Sequence, residues 1–264
     1  MKGFLAIVVA AALLAAGAIW YYHPDRLGSA ARAEADPPDD AWLDHLYSQN
    51  TRDAAEAVRH VEMLGPRAVP IIEATLADPK ADLEQRKAAL KACGILGPIA
   101  AAAIPSVADE LADPEVTEEA AVALSFMGRD AFGPLKDGLT SDDPVVRRES
   151  LRSIGKLKER APLDTKAVMP LLLEGLTDAD AGVRVVAATY LGIIHERGEE
   201  AVPALIGALG DPEVEVRRAV AEALGAFTGM ADVAIPALRK ATNDNDPDVS
   251  REAGLAIVKL QATR

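Results

Sequence analysis

The sequence predicts an all-α fold: an α-solenoid of about seven stacked antiparallel helix pairs over residues 41–264, preceded by one N-terminal apolar helix. Three observations carry this. Short markers recur every 30–35 residues through most of the chain. Each cycle holds two segments with helical apolar periodicity, the signature of stacked helix pairs. Half of the residues are hydrophobic, yet only 4% are aromatic. Alanine and leucine fill that gap, and alanine lets helices approach closely at little side-chain entropy cost. A solenoid makes only neighbour contacts and has no single deep core, so it needs few large rings.

The N-terminal segment comes first. Phe4 to Tyr22 carries no charge; Lys2 precedes it and His23, Pro24, Asp25 and Arg26 follow. A membrane span needs about 20 apolar residues, and Trp20, Tyr21 and Tyr22 stand where amphipathic rings favour the headgroup layer. The positive charge before the run favours a cytoplasmic N-terminus, which exports everything after it. The competing reading is a cleaved signal peptide, with Phe4–Leu14 as its apolar core and Ala16-Gly17-Ala18 as its cleavage site. No lipobox cysteine is present. Residues 1–22 are thus an anchor or signal, and residues 23–40, rich in Pro, Ala and Asp, are a linker. Either way the solenoid is expected outside the cytoplasm.

The repeats have three markers. Asp-Pro closes successive cycles at Asp78, Asp113, Asp143, Asp211 and Asp246, with Asp178-Ala179-Asp180 in the remaining slot. Ala-aliphatic-Pro opens them, as in Ala68-Val69-Pro70, Ala103-Ile104-Pro105, Ala201-Val202-Pro203 and Ala234-Ile235-Pro236. Arginine followed eight residues later by glycine recurs as Arg86/Gly94, Arg147/Gly155, Arg184/Gly192 and Arg217/Gly225. Proline near a helix start suits the first turn, where its missing N–H is not needed. Gly-Asp-Pro turns the chain, and the valines after it lie on one face of a second helix. Asp211 is placed to cap that helix or to reach Arg217. The third cycle has Thr117 and Ser125 in place of Arg and Gly. Counting from Arg251, the last has Lys259 for Gly.

The segments LGDPEVEVRRAVAEALGAF (Leu209–Phe227) and LTSDDPVVRRESLRSIGKL (Leu139–Leu157) resemble the HEAT repeat, and more closely its short bacterial form, first described in phycobilisome lyases. The resemblance covers about residues 41–264. It implies that the Val-Arg helix is the second of each pair and lines the concave face. It also implies that the Asp and Arg residues, paired as Asp143 with Arg147, Asp180 with Arg184, Asp211 with Arg217 and Asp246 with Arg251, form a structural ladder along the stack.

Little points to chemistry. The single cysteine, Cys93, excludes an intramolecular disulfide and a Cys-based zinc site; it is read as a buried small residue in a glycine slot. The net charge of −13 argues against nucleic acid, which needs a basic face. Without the Lys2 segment the remainder carries −14, so the acidity belongs to the solenoid. Some HEAT-like hydroxylases hold a di-iron centre with repeated His-Glu pairs. His195-Glu196 is a single pair here, read as a solvated helix C-terminus. No nucleophile elbow, dinucleotide fingerprint or P-loop is present. The expectation is therefore no enzyme, no cofactor and no small-molecule substrate.

One feature suggests binding. Positions one, five and nine after the arginine share a stripe on each second helix. They are Lys87 and Lys91 in the second pair, Glu118, Val122 and Phe126 in the third, and Arg148, Arg152 and Lys156 in the fourth. A basic stripe with Phe126 beside it, on an acidic protein, is a candidate groove for a protein or extended peptide. The expected function is a membrane-tethered interaction scaffold. The alternatives are a bilin-lyase-like chromophore-attachment subunit and a HEAT-type metal-dependent hydroxylase.

Overall fold

A computed structural model describes residues 42–262. The readings on residues 1–22, on the linker and on cleavage after Ala18 lie outside the described residues.

Helix boundaries follow from local chemistry. Asp82 accepts the backbone N–H of Gln85 while the Gln85 side chain accepts that of Asp82, a reciprocal cap that starts the helix at Leu83. Asn50, Asp143, Asp164 and Asp180 cap other helices by accepting a backbone N–H two or three residues on. Pro144 occupies a first-turn position. The second helices of the first three pairs are followed by Gly65, Gly97 and Gly128 at φ of 55°, 57° and 90°, a region that favours glycine.

Fourteen α-helices result among the described residues. They are α1 (Trp42–His45), α2 (Thr51–Leu64), α3 (Val69–Ala77), α4 (Leu83–Leu96), α5 (Ile104–Asp109), α6 (Thr117–Phe126), α7 (Phe132–Gly138), α8 (Pro144–Arg160), α9 (Thr165–Gly175), α10 (Ala181–Ile194), α11 (Gly198–Ala208), α12 (Val214–Leu224), α13 (Ala231–Ala241) and α14 (Pro247–Ala262). Short 3-10 turns link several of them, and the described residues contain no strand. They form seven pairs. Each first helix packs on its own second helix, and each second helix packs on the next, from α2 through to α14. The first helices meet one another at fewer points. The second helices are thus the more closely spaced, inner layer.

Close spacing explains the glycine marker. A Cβ on Gly192 of α10 would sit 2.7 Å from the Cα of Ala223 on α12, and one on Gly225 would sit 3.1 Å from the Cα of Ala256 on α14. Side chains there would hold successive helices apart. Gly94 is looser, with Ala123 and Phe126 at 3.9 Å. Two slot assignments are corrected here. Gly94, not Cys93, faces the next second helix; Cys93 is fully buried, and burial with the nearby Glu73 carboxylate pushes its thiol up to about 12. In the last pair the buried Val249 matches Val216, which puts Ser250 in the arginine place and Val258, not Lys259, in the glycine place. Val258 is 63% exposed: no described helix packs beyond α14, so no close approach demands glycine.

Candidate functional site on the inner face

The ladder is the frame of the site. Arg147 donates Nε and a terminal nitrogen to both oxygens of Asp178 at 2.8 Å. Arg184 holds Asp211 at 2.8 and 2.9 Å, and Arg217 holds Asp244 at 2.8 and 3.0 Å. The other terminal nitrogen of each arginine donates to carbonyls of its own turn, such as Asp211 O from Arg217 at 2.8 Å. Each arginine therefore fastens its own loop to the carboxylate of the following pair. Arg86 also reaches the following pair, at Glu110 and Asp113, but without the bonds to carbonyls of its own turn.

This corrects the pairing within cycles. Asp143, Asp180 and Asp246 accept backbone N–H groups at the starts of α8, α10 and α14, and none of them holds a ladder arginine. The Asp211 carboxylate accepts Glu213 N–H and pairs with Arg184 rather than Arg217. Arg251 forms an exposed pair with Asp248 on its own helix, outside the ladder.

The ladder has one gap. Thr117 replaces the third arginine, and Ser141 stands where the next pair would offer its aspartate. Thr117 bonds only carbonyls of its own turn, Leu111 O at 3.1 Å and Asp113 O at 2.7 Å. A shallow depression of about 360 Å³ opens there, bordered by Leu111, Pro134, Gly138, Ser141 and Val146. Beside it the buried Ser150 hydroxyl has no hydrogen-bond partner among the described residues.

The proposed basic stripe divides into structural and available members. Lys87 pairs with Glu119 of α6 at 2.9 Å. Lys91 donates to Leu46 O at 2.6 Å and lies 4.4 Å from the Tyr47 ring centroid, fastening the first pair to the second. Burial lowers its ammonium pKa and, with Glu119 and Glu84, raises the Tyr47 hydroxyl to about 12. On α8, Arg148 and Arg152 both grip Glu149, at 3.0 Å and 2.7 Å. Glu149 is 3% exposed, so both arginines compensate a buried carboxylate.

Lys156 differs. It is half-buried and, among the described residues, has no hydrogen-bond or ion-pair partner. Burial lowers its pKa, and Arg152 and Arg160 add to the effect. Arg160, one turn on, lies over the Phe126 ring at 4.1 Å, and one guanidinium nitrogen reaches Ser125 Oγ at 3.3 Å. Among the described residues it pairs with no carboxylate.

The same register on α10 was not singled out in the sequence. Val185, Thr189 and Ile193 occupy positions one, five and nine after Arg184. Thr189 donates its hydroxyl to its own helix at Val185 O, and Ile193 is 44% exposed. The ninth-position row therefore runs Ile95, Phe126, Lys156 and Ile193 across four consecutive second helices, three apolar side chains around one cation, and Ala226 follows in the turn after α12. The signal was available, because each lies nine residues after the arginine slot.

His195 sits at the C-terminus of α10 in a left-handed conformation, with Nδ1 2.8 Å from Ile193 O. Glu196 is engaged by the Thr165 hydroxyl and lies 3.6 Å from Lys158. Among the described residues no group of three or more His, Cys, Asp or Glu is placed to hold a metal ion.

Comparison with known proteins agrees with this architecture. The family described as HEAT repeats matches residues 169–258. No curated protein matches the chain. The crystal structure of Kap121p superposes with a TM-score of 0.61 at 14% identity, over 79% of this chain and 28% of that one. Kap121p bound to Nup53p gives 0.58 at 15% identity, over 80% of this chain and 28% of that one. The complex of CpcE and CpcF of phycocyanin lyase from Nostoc gives 0.50 at 23% identity, over 59% of this chain and 98% of that one. The chain is thus similar to HEAT-like solenoids, and spans little more than a quarter of the length of Kap121p.

Proposed function

We propose that this chain is a non-catalytic protein-interaction scaffold that binds a protein or extended peptide along the inner face of its solenoid. The carrying observation is the row from Phe126 through Lys156 to Ile193. A half-buried ammonium without a partner is unfavourable, and so is solvated apolar surface beside it. An incoming chain relieves both. Long shallow rows of this kind suit an extended ligand rather than a small molecule. The solved complex of Kap121p with Nup53p gives a precedent for a protein ligand on this fold class. The reading includes tethering through residues 4–22, with the solenoid outside the cytoplasm.

Partner recovery from detergent-solubilised membranes tests the binding. Lys156→Glu with Ile193→Ser leaves Glu149 with both its arginines and is expected to abolish recovery. Undiminished recovery would refute the inner face as the site. Sequencing the mature N-terminus tests the tether: Met1 supports an anchor, and Ile19 shows cleavage after Ala18.

A further inference from the structure

The row geometry also specifies partner chemistry, on the premise that the inner face is the binding face. Packed helices lie about 8–10 Å apart, and an extended chain advances about 3.3 Å per residue. One step from α6 to α8, or from α8 to α10, therefore corresponds to about three residues of an extended peptide lying across the second helices.

Phe126, Lys156 and Ile193 occupy the same register on those three helices. Lys156 is flanked along α8 by Arg152 and Arg160 at the spacing that places side chains on one face. Arg152 is committed to Glu149. Arg160 keeps most of its donors, because Ser125 takes only one and its contact with the Phe126 ring, 4.1 Å from the guanidinium carbon, uses none as a hydrogen bond. The acidic groups near this seat are Glu149, held by two arginines, and Glu118 and Glu159. None of them forms an ion pair with Lys156 or Arg160. The seat is thus a local excess of cation on a protein whose overall charge is −13.

We propose that Lys156 and Arg160 seat one oxyanion of a partner peptide, and that apolar residues three positions before and after it rest on Phe126 and Ile193. The recognised pattern is apolar–x–x–acidic–x–x–apolar, in either chain direction. The oxyanion is an Asp or Glu carboxylate or a phosphoryl group. An ammonium and a guanidinium fork donate to either, and the fork favours two-point contact.

Fluorescence anisotropy at low salt with the full chain in detergent tests this. The probes are labelled nine-residue peptides with leucine at the second and eighth positions and serine elsewhere. The fifth position is glutamate, phosphoserine or glutamine. The glutamate or phosphoserine peptide, or both, is expected to bind at least tenfold tighter than the glutamine peptide. Their ratio tells which oxyanion is preferred. Lys156→Gln is expected to bring the acidic peptides to the level of the glutamine peptide while leaving the latter unchanged. Arg239→Gln with Lys240→Gln, on exposed α13 positions, is expected to change nothing. Equal binding of all three peptides, with backbone exchange protection on α6, α8 and α10, would overturn the oxyanion seat and leave the inner-face reading standing. No protection of those helices by any peptide would overturn both.

Discussion

Arg184 and Asp211 stand 27 residues apart in sequence and meet through two hydrogen bonds of 2.8 and 2.9 Å. The side chains are only 12% and 9% exposed, so the pair is not an ordinary surface ion pair. Removing one partner strands a largely buried charge. Asp211→Ala is expected to destabilise the solenoid by about 2–3 kcal/mol. Arg251→Ala, which breaks an exposed pair on one helix, is expected to cost less than about 0.5 kcal/mol. Urea unfolding of the two variants measures both, and equal losses would refute the ladder as the stabilising frame.

The same pairs set the acid limit. Arg147 hydrogen bonds, against burial, hold Asp178 below its ordinary value; Arg217 and the Asp246 N–H do the same for Asp244. For Asp211 burial pushes upward, but Arg184 and the Glu213 N–H outweigh it and the carboxyl stays low. A depressed native pKa contributes stability that is complete above the unfolded value of about 3.9 and is lost as pH falls through the native values. Stability is therefore expected to fall steeply from about pH 4 downward, and less steeply when Asp178 and Asp244 are replaced by Asn. Urea midpoints across pH 2.5–6 check this.

Thr117 and Ser141 mark the missing rung. An arginine at 117 would find Leu111 O where Arg147 finds Ser141 O, and an aspartate at 141 would meet it from the next pair. Thr117→Arg with Ser141→Asp is expected to be more stable than the sum of its single variants, by a coupling of about 1 kcal/mol or more. A double-mutant cycle without coupling would show that the gap is not a rung position.

Gly192 and Gly94 occupy the same marker slot at different clearances. Gly192→Ala drives a methyl against the Ala223 backbone and is expected to cost about 2 kcal/mol. Gly94→Ala meets nothing nearer than 3.9 Å and is expected to be neutral or to stabilise by up to about 1 kcal/mol, since alanine favours helix. Thermal unfolding distinguishes them.

The fold was largely legible because its physics is local and repeated. Each cap, turn and buried valine lies within one cycle and recurs, so repetition averages out ambiguity at any one position. The ladder partners were misread for the opposite reason. Arg184 has Asp180 four residues away, but a carboxylate capping Val183 N–H is already engaged, while Asp211 is brought close only by stacking. Lys91 looked available because its partners, Leu46 O and Tyr47, belong to another pair. Conversely Ile193 passed unremarked because an isolated isoleucine in a helix reads as core. Only the shared register with Phe126 and Lys156 turns it into surface.

The central claim is that the row of Phe126, Lys156 and Ile193 touches the partner. Photo-crosslinking in intact cells tests it most directly, with a benzophenone side chain placed at Ile193 or, on the outer helix α13, at Val233. Both positions are exposed, 44% and 47%, so neither insertion disturbs the core. The account predicts a discrete protein adduct from position 193, lost on adding Lys156→Glu, and none from position 233. An adduct from 233 alone, or equal adducts from both that ignore Lys156, would contradict it.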